Sequence, residues 1–116
     1  MLVKNINTPD ETRVLPKTNI EVVEVDGITL MRATFHPGWK WSEHVKPTVG
    51  TDSCQAPHIN YVISGRMMIA MDDGEQKEMG PGDFAVIAPG HNAWVLGDVP
   101  CVAIDFGAGK NYAKPK

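Results

Sequence analysis

The chain is poor in cysteine, short of basic charge and without a long uninterrupted segment, and each shortage narrows what it can be. Two cysteines, Cys54 and Cys101, in 116 residues are too few for a disulfide scaffold. Eleven Lys and Arg against fourteen Asp and Glu leave a net charge of -3, so no broad basic surface is available to neutralise phosphates. Nucleic acid is therefore not an expected partner. No apolar run reaches the roughly 18 residues of a membrane helix, and the opening MLVKNINTPDE has no apolar signal segment, so no membrane partner is expected. The expected address is the cytoplasm, where both thiols stay reduced.

Glycine and proline, by contrast, are plentiful, with 11 and 9 residues. The longest stretch free of both runs from Lys17 to Asp26, ten residues, shorter than an average globular helix of about 11 to 12. A helical protein is thereby excluded. From Ile20 onward, β-branched and apolar segments alternate with turn signals: IEVVEV, Asp26-Gly27, ITLMRATF, Pro37-Gly38, INYVIS, Gly65, RMMIAM, Asp72-Asp73-Gly74, QKEM, Gly80-Pro81-Gly82-Asp83, FAVIA, Pro89-Gly90, NAWVL and CVAIDF. This predicts an all-β chain of about nine or ten short strands, folded as a sandwich, jelly roll or barrel that buries two faces. Thr8-Pro9-Asp10-Glu11 reads as a capped helical turn. The expected organisation is an N-terminal arm over 1–19, a barrel over 20–106 and a flexible polar tail over 107–116. The long irregular piece KPTVGTDSCQAP, residues 46–57, is where function is expected.

Side chains two apart on a strand share a face, so His58 and Asn60 lie together, opposite Ile59, Tyr61 and Ile63. Counting back by twos reaches Ala56 and Cys54, so an extended chain projects thiol and imidazole the same way. Two readings stand side by side: a soft N/S site for zinc or another late first-row metal, or a packed thiol beside a hydrogen-bonded histidine. His36, before Pro37, reads as a surface turn residue. Trp39, Trp41, Trp94, Phe35, Phe84 and Phe106 read as core, and Met67, Met68 and Met71 as packing or a subunit contact. Asp83 reads as a local turn cap and Asp72-Asp73-Gly74 as a solvated hairpin tip.

Here the sequence resembles the cupins, small barrels built as a double-stranded β-helix. Gly38 followed after five residues by His44 matches the opening of their first motif, and His58 followed after six residues by Gly65 matches its end, with histidine where the family usually has glutamate. Gly82 and Gly90 fit the second motif, with Ala88 in the proline place and Ala93 where the metal-binding histidine should be. Lys46 stands in place of the second histidine of the first motif; Cys54 and His91 are positioned to replace the missing ligands. The resemblance implies one divalent metal held by His44, Cys54, His58 and His91 at the barrel mouth, zinc first, with iron, nickel or manganese as alternatives. Lys46 and Asn60 are the candidate contacts to a small polar ligand, Lys46 as a point charge for a carboxylate or phosphate. Two functional classes stay open: a metalloenzyme with an open coordination position, or a binding or sensor module without catalysis, with or without metal. The family resemblance also implies a homodimer.

Overall fold

A computed structural model describes residues 1–109 and 111–114. Nine strands lie among them: β1 (Glu11–Leu15), β2 (Thr18–Val25), β3 (Ile28–Phe35), β4 (His58–Ser64), β5 (Arg66–Met71), β6 (Gln76–Met79), β7 (Phe84–Ile87), β8 (His91–Leu96) and β9 (Cys101–Asp105). All pair antiparallel, in a six-stranded sheet of order β1-β2-β3-β9-β4-β7 and a three-stranded sheet of order β6-β5-β8. The all-β jelly-roll reading holds, and the Asp26-Gly27 hairpin forms with both residues at positive φ, 51° and 79°, in the register Val25 opposite Ile28.

The core lies between the sheets. Alternation along each strand sends Ile20 and Val22 of β2, Met31, Ala33 and Phe35 of β3, and Met67 and Ile69 of β5 inward. Trp39 and Trp41, each 2% exposed, fill the space beneath the long connection between β3 and β4. Two short helical turns lie in that connection, α1 (Trp41–His44) and α2 (Lys46–Val49). It is tied to β8 at both ends by isolated bridges, Lys40 with Trp94 and Cys54 with His91, and in its middle by Asn92, which exchanges hydrogen bonds with Ser42. No helix among the described residues is long and apolar enough to cross a membrane.

Three expectations are corrected. The helical turn expected at Thr8 to Glu11 does not form; the Asp10 amide donates to the Val22 carbonyl and its carboxylate accepts from the Glu24 amide, so the chain enters β1 directly and the arm belongs to the larger sheet. Of the tail expected to be flexible, residues 110, 115 and 116 lie outside the described residues; among the others Tyr112 and Ala113 pack into the core, with the Tyr112 carbonyl accepting from Arg13. Phe84 and Phe106, expected in the core, lie outside at 63% and 44% exposure, stacked with ring centroids 6.3 Å apart.

Strand β4 explains that last reversal. Its polar residues His58 and Asn60 face inward and are buried, whereas Tyr61 and Ile63 face out. In β7, likewise, Phe84 and Val86 point to solvent while Ile87 is buried. Period-2 parity set which residues share a face, but in β4 the interior face is the one that carries His58 and Asn60.

Candidate metal centre

His58 opens β4, His91 opens β8, and Asp105 ends β9, which runs antiparallel to β4, so all three meet at one end of the barrel. Cys54 is brought there by backbone. Its amide donates to the His91 carbonyl at 2.7 Å, and its carbonyl accepts from the Gly90 amide at 2.7 Å. The thiol Sγ lies 3.6 Å from His58 Nε2, and the ligand atoms of Cys54, His58 and His91 all lie within 4.8 Å of one another. All three residues are buried.

Hydrogen bonding orients both imidazoles. His58 Nδ1 donates to Asp105 Oδ2 at 2.5 Å, and His91 Nδ1 donates to the Ala88 carbonyl at 2.8 Å. With each Nδ1 occupied, the Nε2 atoms remain to face the thiol. In metal sites generally, a carboxylate or a backbone carbonyl accepting from the other ring nitrogen of a ligating histidine produces this arrangement. Asp105 is itself fixed: its Oδ1 accepts from the amides of Gly107, Ala108 and Ile59 at 2.9, 3.2 and 3.4 Å.

Burial alone pushes the Cys54 thiol up, but hydrogen bonds from His58 and His91 outweigh it and bring its pKa down to about 6. For His58, burial disfavours the charged ring, yet Asp105 and Cys54 together raise its pKa to about 9. Thiolate and imidazolium therefore stabilise each other. Cys101, with no such partner, is pushed up to about 11 by burial and is inert by comparison.

The donor set fits a divalent cation. Tetrahedral bonds of about 2.3 Å to sulfur and about 2.0 to 2.1 Å to nitrogen place the two ligand atoms about 3.6 Å apart. The Cys54–His58 separation matches that spacing. One thiolate and two imidazoles suit zinc and its late first-row neighbours better than magnesium or calcium.

Of the expected site residues, Cys54, His58 and His91 converge, and Asn60 lines the adjoining cavity. His44 does not join them. Its Nδ1 accepts from the Lys40 amide at 3.0 Å, because residues 41–44 are helical and strand parity does not extend to them. Lys46 begins α2 and is absent from the cavity wall, so its expected anion contact is not made there. Asp105 and Tyr112 were missed. Asp105 was legible, since β9 alternates and places Asp105 on the same inward face as Cys101 and Ala103.

A family described as the EutQ-like cupin domain matches residues 44–101 of the chain. The chain is a member of the EutQ-like cupins. This cupin is also similar to solved structures throughout its barrel. KdgF from Halomonas sp. is 21% identical with a TM-score of 0.57, over 82% of each chain. A protein of unknown function (DUF1255) from Acidithiobacillus ferrooxidans is 20% identical with a TM-score of 0.59, over 83% of this chain and 85% of that one. An RmlC-like cupin from Shewanella frigidimarina is 12% identical with a TM-score of 0.63, over 94% and 93%. At these identities the likeness concerns the fold alone. No curated protein matches the chain.

Proposed function

We propose that this cupin binds one divalent metal, zinc first, through Cys54 Sγ and the Nε2 atoms of His58 and His91, and that the metal receives a small molecule from the adjoining cavity. The observation that carries this is the pair of Nδ1 hydrogen bonds, which holds both imidazoles ready to ligate before any metal arrives. Closed structural zinc sites use four protein ligands. Among the described residues three donors converge, which supports an open position and the metalloenzyme class over a structural site. When bound, the metal supplies a Lewis acid that polarises an oxygen or activates water. A reducing compartment, such as the cytoplasm, suits the free thiol.

Metal analysis of freshly purified protein is expected to give about one equivalent, with Cys54→Ser and His91→Ala each losing it at chelator concentrations the native protein withstands. Under a tenth of an equivalent, with no recovery on adding zinc, overturns the metal. What then survives is a metal-free pocket whose thiolate–imidazolium pair needs no cation.

The second element of the reading is a homodimer. Tyr61, Ile63, Phe84, Val86 and Phe106 are 44–75% exposed on adjacent strands of the larger sheet and the segment after β9. Together they leave on the order of 500 Å² of apolar surface, toward the upper end of the largest single patch a monomer shows and of a size that is often functional. Strand β7 also has an open edge, so a second copy can both cover the patch and extend the sheet, reaching the roughly 800 Å² per partner of a stable interface. Light scattering is expected to give twice 12.7 kDa for the native chain and 12.7 kDa for the Phe84→Glu, Val86→Lys double variant. A native monomer at micromolar concentration removes the dimer.

A further inference from the structure

The cavity beside the cluster is small, about 30 Å³, room for one or two waters, and Tyr112 forms part of its wall. Tyr112 stands edge-on to the His58 imidazole, ring centroids 4.9 Å apart at 89°. It borders this cavity on one side and, on the other, an outer recess of about 150 Å³ also walled by Trp41, Cys54 and Ala56. Tyr112 and Trp41 border both spaces and thus stand between the inner cavity and the outer recess.

The segment that carries Tyr112 joins neither sheet. Among the described residues it is held by the buried Tyr112 and Ala113, by the Arg13 guanidinium on the Tyr112 carbonyl at 2.5 Å and by an exposed Lys114–Glu11 ion pair at 3.7 Å. Exposed pairs of that kind hold a chain weakly. Behind the ring, three buried polar atoms have no partner: the indole nitrogens of Trp39 and Trp41 and the Asn60 amide oxygen. All three residues line the cavity. Such orphaned atoms are exceptional in a finished core and ask for a ligand or water.

The remaining wall sets the chemistry. It is apolar through Met31, Phe35, Met67 and Ile69 and contains no Lys or Arg, while Asp105 contributes a buried carboxylate. Apart from the proposed metal and the histidines an anionic ligand would meet no fixed cation, whereas a neutral flat ring would meet indoles, an imidazole edge and methionine over most of the wall. A ring hydroxyl can donate to the Asn60 oxygen and accept from an indole N–H. We propose that the barrel interior is a binding site for a neutral aromatic molecule of phenol size, and that Tyr112 is its intramolecular occupant, leaving as the ligand enters. The proposal rests on the reading of this barrel end as the functional one and names the class of molecule it takes.

The chain has two tyrosines, so incorporation of 3-fluorotyrosine with Tyr61→Phe as the assignment control isolates the fluorine resonance of Tyr112. Adding 4-methylphenol, the side chain of tyrosine itself, to the full zinc-treated chain is expected to move that resonance saturably toward its position in the unfolded protein. Cyclohexanol, of similar size but not flat, leaves it in place. Tyr112→Ala is expected to bind 4-methylphenol about tenfold more tightly than the native chain, since the competitor is gone. A Tyr112 resonance unmoved up to the solubility limit of 4-methylphenol, or moved equally by cyclohexanol, overturns the proposal, and this native-chain titration decides even where Tyr112→Ala fails to fold. Zinc content measured on the same samples separates the two readings. Displacement of Tyr112 in protein that takes up no zinc removes the metal and keeps the ligand site; full zinc loading without displacement does the reverse.

Discussion

Asp105→Ala is expected to destabilise the chain by about 3–5 kcal/mol, a large share of the roughly 5–15 kcal/mol that holds a domain of this size together. The carboxylate is 6% exposed and is the hub of the barrel end, accepting from His58 Nδ1 and from the amides of Ile59, Gly107 and Ala108. Truncation leaves the imidazole and three amide donors without their acceptor. Asp105→Asn separates fold from site. One oxygen remains for the backbone amides, so the stability cost should be a fraction of that of the alanine. The amide nitrogen, however, now faces His58 Nδ1 and can only donate. The neutral ring then carries its proton on Nε2, which removes the lone pair a metal would take there. Zinc affinity should then fall about 10–100-fold, the usual effect of losing the group that orients a ligating histidine. Chemical denaturation and competition with a chromophoric chelator measure the two quantities on the same samples. An asparagine variant with native zinc affinity would mean that Asp105 is structural only and that His58 is not oriented by it.

The barrel was legible because its punctuation is dense. Asp26-Gly27, Gly65, Asp72-Asp73-Gly74 and Pro89-Gly90 each fall at a strand end, and period-2 parity placed His58 with Asn60 and carried on backward to Cys54. The same parity failed at His44. Between Trp41 and Val49 the chain turns helical, which no strong apolar periodicity announced, and the imidazole is spent on its own backbone. A second failure has a different cause. Apolar residues were assigned inward by default, but in β4 the interior takes His58 and Asn60 while Tyr61 and Ile63 are left outside, and in β7 Ala85 and Ile87 face in while Phe84 and Val86 face out. The composition of a strand says that its faces differ; only the closed barrel says which one is inside. Tyr112 was illegible for a third reason. Its position depends on Arg13, 99 residues away, and on the space left between Trp41 and His58, neither of which leaves a local pattern.

Gly65→Ala should be the most damaging single methyl that can be added to the chain outside the metal centre. The residue sits where the chain leaves the larger sheet at the end of β4 and enters the smaller one at β5, with φ at +76°. A Cβ there would collide with the Pro100 carbonyl and stand 2.6 Å from the Cys101 Cα, and both obstacles are backbone at the head of β9. Neither can swing aside as a side chain would. The left-handed conformation adds about 1–2 kcal/mol, and overpacking against backbone adds about 1–3 more. Gly74 supplies the comparison, since it too has positive φ, +97°, but nothing lies within 4 Å of its added methyl. Gly74→Ala should therefore show the conformational cost by itself. The expected result is a fall in melting temperature two to three times larger for Gly65→Ala than for Gly74→Ala, on the order of 10–15 °C against about 5 °C. Because β9 ends in Asp105, a shift at its head propagates along five residues to the carboxylate that orients His58. Gly65→Ala should accordingly lose zinc at temperatures where Gly74→Ala still holds it. Equal melting temperatures for the two variants would mean that the head of β9 yields freely, and that the barrel corner is looser than its close approach to Gly65 implies.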